Sequence, residues 1–194
     1  GGGREVRLGA DDPAWRTAWH VTRVLARGGR LGEALAAIER VDGVGDDREL
    51  RDRLRRALAA GASAADWVLL VARFHSSDPR RGDLGAALAI AREAVRRFPR
   101  AAAAHLAAAE SARQLGEPAL AIRFYESGLA LDPQHAAATA ELGRLYVLRI
   151  STLAMSDRPA AASLQLAAFE RFHRASASRL GKPVEPDLAD AQAA

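Results

Sequence analysis

The stretch spanning residues 101–146, AAAAHLAAAESARQLGEPALAIRFYESGLALDPQHAAATAELGRLY, leaves few folds open. Its small and apolar residues recur at three- and four-residue spacing, the period of a helix that buries one face. Gly116-Glu117 breaks the first run, and Pro118 follows where a first helical turn tolerates proline. Ala121, Ile122, Tyr125 and Leu129 then form an apolar stripe. Asp132-Pro133 ends that run, because proline lacks the N–H that would extend the ladder and disfavours helical backbone before it. The prediction is helix, tight turn, helix, break, helix.

The stretch also repeats. Gly82, Ala87, Ala94 and Pro99 fall in register with Gly116, Ala121, Gly128 and Pro133 at a 34-residue period. One period on, Leu142, Gly143 and Tyr146 form a Leu-Gly-x2-Tyr signature. These residues resemble the tetratricopeptide repeat, which carries Trp-x2-Leu-Gly-x2-Tyr in its first helix and Gly, Ala, an aromatic, Ala and Pro thereafter. The first-helix positions of the central unit depart from it, with His105, Ala108, Ala109 and Ala112 where Trp, Leu, Gly and Tyr are usual. Gly128 likewise stands where alanine is usual. The resemblance implies an all-α fold: a right-handed α-solenoid of about four hairpins ending in an atypical C-terminal capping helix. A lone hairpin cannot bury its apolar face, so neighbours stack, with Ala87 and Ala121 at the close approaches and Tyr125 and Tyr146 filling space between hairpins.

In order, residues 1–10 read as a Gly-rich tether, 11–178 as the helical repeat domain and 179–194 as a Pro- and Ala-rich loose tail. Asp11-Asp12-Pro13 starts a helix over 14–27 that Gly28-Gly29 stops, with a return helix over 31–41. Asp42 to Asp47 is a turn. Residues 49–60 form a charged helix with a seam of Leu50, Leu54 and Leu58. Residues 64–75 form the most apolar helix, which belongs deep in the stack, and 84–98 its partner after a loop over 76–82. Beyond Tyr146 the expected turn is missing. The next helix comes about ten residues late, with Phe169 at the aromatic position, as a terminal cap would.

Composition narrows the function. There is no cysteine, hence no disulfide framework, thiolate metal site or cysteine nucleophile. The net charge is +4, and Lys182 is the only lysine. The arginines alternate with acidic residues and form no phosphate-binding stripe, so no nucleic-acid partner is expected. No apolar run reaches the roughly 18–20 residues of a membrane span. The Gly1-Gly2-Gly3 start is either an expression remnant or a flexible tether left after a targeting segment is removed. The second reading slightly favours a bacterial periplasmic or envelope lipoprotein with a lipid anchor upstream.

No catalytic residue, cofactor site or metal site is expected. Phosphate-loop, Gly-x-Ser-x-Gly and HExxH patterns are absent from the sequence. The five histidines share no ligand spacing, and Glu170 with His173 is at most half of a metal site. In the family that the chain resembles, first-helix side chains line a groove for peptides or partner helices. Carried over by register, that groove presents Trp19, Arg23, Arg73, Leu106, Glu110, Arg113, Glu141 and Arg144. The positions that clamp a C-terminal carboxylate in some members read Ala72, Ser76, Ala107, Ala137 and Glu141, so the clamp is missing. The expected function is a non-catalytic scaffold or adaptor docking a protein or peptide partner. The alternative is an accessory or regulatory repeat domain of a larger multidomain enzyme.

Overall fold

The computed structural model describes residues 13–40, 47–75, 82–156 and 158–179, and among these it contains nine α-helices packed in sequential pairs. They are α1 (Pro13–Arg27), α2 (Leu31–Glu39), α3 (Asp47–Leu58), α4 (Ala64–Phe74), α5 (Leu84–Arg97), α6 (Ala102–Gln114), α7 (Pro118–Leu131), α8 (Ala136–Met155) and α9 (Pro159–Arg179). The tether at 1–10, the turn at 42–46, the loop at 76–81 and the tail from 180 onward lie outside the described residues.

The helices start and stop where the chain's punctuation dictates. Gly29 and Gly116 both take positive φ, +73° and +75°, which a side chain would strain. Around Gly29, the Arg30 amide donates to the Leu25 carbonyl (2.9 Å) and the Gly29 amide to that of Ala26 (3.0 Å). Around Gly116 the Glu117 amide reaches Ala112 (2.9 Å) and the Gly116 amide reaches Arg113 (3.0 Å). The same six-to-one and five-to-two pattern thus closes α1 onto α2 and α6 onto α7. Other ends use side chains. Ser63 and Asp66 form a reciprocal capping box on α4, Asp83 caps α5, and His135 caps α8 through Nδ1.

The chain divides into two compact units, residues 1–134 and 135–194. In the first, each helix from α1 to α7 packs on the next, and α4 also packs on α6. One further pairing is not between neighbours: α5 returns to α1. Helices α1 to α5 therefore form a closed circuit around a shared core. That core takes Trp19 from α1, Ile38 from α2, Leu50 and Leu54 from α3, Trp67, Leu70, Val71 and Phe74 from α4, and Ile90 from α5. Helix α4, expected to lie deep, has Trp67 and Phe74 fully buried, while its Leu69 is exposed. Helix α3 buries Leu50 and Leu54, with Leu58 partly buried. Arg55 is exposed and pairs with Glu39 (2.6 Å), while the mostly covered Arg53 pairs with Glu49 (2.5 Å) and donates to the Leu69 carbonyl of α4.

Alanines set the close contacts. Ala87, Ala94, Ala104, Ala108, Ala112 and Ala121 have no exposed surface. At Gly128 an added Cβ would lie 2.6 Å from Leu106 Cδ2 and 3.0 Å from its Cγ. Leu106 occupies the room that the missing methyl leaves on α7. In the second unit, α8 and α9 form one long hairpin, in which Tyr146 lies 5.8 Å from both Phe169 and Phe172.

Gly29→Ala and Gly116→Ala each lower stability by about 1–2 kcal/mol, the usual cost of forcing a side chain into left-handed backbone. Urea unfolding should show a lower midpoint at an unchanged slope for both. A neutral effect at either would count against the shared turn.

Candidate functional site

The eight residues that the repeat register assigns to a groove separate into distinct surroundings. Trp19, Arg23 and Arg73 come together where α1 meets the C-terminal end of α4. Trp19 is 3% exposed and stacks on Phe74 at 5.8 Å and 12°. Arg23 and Arg73 lie over its ring, 5.7 and 5.4 Å from the centroid. This tryptophan belongs to the core, and the arginines form its cover.

Beside them stands Asp83, whose carboxylate is 1% exposed. It is the first group of α5, and it accepts from the Ala86 amide (2.9 Å). Arg27 of α1 donates to the same carboxylate from Nε and from Nη2 (2.9 Å each), while Arg23 Nε stands 4.0 Å away. Arg23 also donates to the Gly82 carbonyl (3.4 Å). One buried carboxylate thus joins the start of α5 to the last turns of α1. An Asp directly before a new apolar helix is a legible cap signal. Its arginine partners, 56 residues earlier in the case of Arg27, carry no local signal.

A second network lies on α6. Glu110 accepts from Arg113 (2.6 and 2.8 Å), Gln114 (2.6 Å) and the Tyr125 hydroxyl of α7 (3.1 Å). These donors, Arg113 foremost, hold the Glu110 carboxyl down at about 2 against the usual 4.5, with burial opposing them. One residue on, the fully buried Ser111 meets His75 Nε2 at 2.7 Å. Burial lowers the His75 pKa, Glu110 works against that shift and Arg113 adds to it. His75 follows Arg73 and Phe74 directly, so the end of α4 links the α1 cluster to the α6 network.

The remaining assigned residues have other surroundings. Leu106 is taken up beneath Gly128. Glu141 and Arg144 belong to the second unit, where they pair with each other one helical turn apart on α8. Three further histidines do structural work: His105 Nε2 contacts the Pro99 carbonyl (2.9 Å), His135 caps α8 and His173 packs near Phe169. Among the described residues, no three His, Asp or Glu side chains gather where they could hold a metal ion, and no helix is long and apolar enough to cross a membrane. No protein-family model and no curated protein sequence matches the chain.

Two substitutions probe these networks. Asp83→Ala removes a helix cap and its charge-assisted bonds, and should cost about 3 kcal/mol. In an Arg27→Ala background the same change should cost visibly less, which a double-mutant cycle in urea would measure. Glu110 has a depressed pKa, so its contribution is complete above about 4.5 and is lost as the pH falls through about 2. Because Glu110 is only partly buried and remains in contact with solvent, Glu110→Gln should cost under about 1 kcal/mol at neutral pH. It should also flatten stability against pH within that acid window, and an unchanged acid limb would contradict the assignment.

Proposed function

We propose that this chain is a non-catalytic docking scaffold built of tetratricopeptide-like hairpins, arranged as a helical-repeat array, that binds a segment of a protein partner through an arginine–glutamate surface. The 34-residue register, the sequential helix pairing, the packing of α4 on α6 and the duplicated glycine turn all support the repeat reading. The α6 network carries the docking reading. Glu110, Arg113 and Gln114 are tied together on α6, with Glu110 also held by the hydroxyl of the buried Tyr125, so a partner's polar groups meet side chains whose freedom is already reduced. Arg73 lies at the neighbouring end of α4.

The test is affinity capture from the source organism with the unaltered chain and with a variant carrying Arg73→Ala, Glu110→Ala and Arg113→Ala. A specific protein held by the first and lost by the second is expected, with capture weakening as salt rises. Matching helical circular dichroism would show that the variant folds. Equal capture by both would remove docking from this surface.

A further inference from the structure

We propose that Met155 is a reversible oxidation site, at which a hydroperoxide converts the thioether to the sulfoxide and turns part of the surface of α8 from apolar to polar while the fold stays intact. This inference is independent of the docking reading.

The chain carries no cysteine and one methionine, so Met155 holds its only sulfur. The residue ends α8 and is 88% exposed, the most exposed large apolar side chain among the described residues. Exposure governs the rate of this chemistry, because the oxidant must reach a sulfur lone pair and water must solvate the oxygen that arrives. The indoles of Trp19 and Trp67, by contrast, are buried. In the reaction the sulfur lone pair attacks the terminal oxygen of the hydroperoxide, and the S–O bond forms as the O–O bond breaks. The proton on the transferred oxygen passes through water to the departing oxygen, which leaves as an alcohol, or as water when the oxidant is hydrogen peroxide. Sulfur loses two electrons and the peroxide gains them.

The surroundings decide what the new oxygen changes. Helix α8 buries Leu142, Leu145 and Tyr146, and Tyr146 meets Phe169 and Phe172 of α9. Met155 takes no part in that packing. The end of α8 is held by other groups: the Ser156 amide donates to the Thr152 carbonyl (3.1 Å), the Ser156 hydroxyl to the same oxygen (2.7 Å), and the Arg158 amide to the Leu153 carbonyl (3.1 Å). A sulfoxide at residue 155 therefore breaks no buried contact and no cap. It alters the outward side of α8, where Val147 and Leu148 are also exposed. Leu148 and Met155 are seven residues apart, about two turns, so they share that side. The sulfoxide sets a strong dipole and a hydrogen-bond acceptor at one end of this apolar stripe.

The test treats the intact chain with hydrogen peroxide. Mass spectrometry should show the gain of one oxygen, placed on Met155 by peptide mapping, at a rate within about fivefold of N-acetylmethionine amide in the same buffer. Circular dichroism and the urea midpoint should match before and after oxidation, while retention on a hydrophobic-interaction column should fall. Treatment with a methionine sulfoxide reductase should restore both mass and retention. Met155→Leu should take up no oxygen and keep its retention through the peroxide step. A slower rate, a lower urea midpoint in the oxidised chain, or unchanged retention on oxidation would each overturn the proposal. The rate and the midpoint are read on the unaltered sequence, so a misfolded variant leaves them decisive.

Discussion

A carboxylate with almost no contact with water must be matched by donors, and Asp83 finds its donors on two helices at once. The Ala86 amide belongs to the helix that Asp83 begins, while Arg27 belongs to α1. Without the second partner the charge would be costly to bury; without the first, α5 would begin with an orphan amide. The same group therefore sets where α5 starts and where it lies. Trp19, Phe74 and Trp67 fill the space enclosed when α5 comes back against α1. Large side chains make this interior, whereas α6 meets α7 through buried alanines, a glycine that admits Leu106, and the Tyr125 hydroxyl on Glu110.

Much of the architecture was legible because it is written in backbone chemistry. Gly29, Gly116, Pro118 and Pro133 mark ends whose causes are local, and the helices stop within a residue or two of them. Ala87 and Ala121 announced close approaches by their spacing. The lengthened α8 and late α9 followed from the missing turn after Tyr146, and Phe169 does meet Tyr146 within that hairpin.

Legibility fails where partners lie far apart in sequence. Nothing near Asp83 points to Arg27, and nothing near His75 points to Ser111, 36 residues on. Register placed Trp19 and Leu106 on a surface by their helical phase. Phase gives the side of a helix and does not say what comes to cover it. Phe74 with two guanidiniums covers Trp19, and Leu106 fills the hollow left by Gly128, a departure from the repeat pattern whose reason lies across the hairpin. Glu110 and Arg113 were found as charged residues of one helix, but their geometry depends on Tyr125 of the next.

The return of α5 to α1 also dictates an order of events during synthesis. α1 leaves the ribosome first, yet the carboxylate that Arg27 requires is 56 residues behind it. Four helices must emerge before the fifth can close the circuit, and loop closure over that distance has to precede its reward. Until then Trp19 and Trp67 lack their full cover, and the nascent chain shows apolar surface to whatever is near. Once α5 has docked, α6 adds to a finished platform by packing on α5 and α4, and α7 follows on α6. The first half of this unit matures late and all together, and the second half matures as it is made.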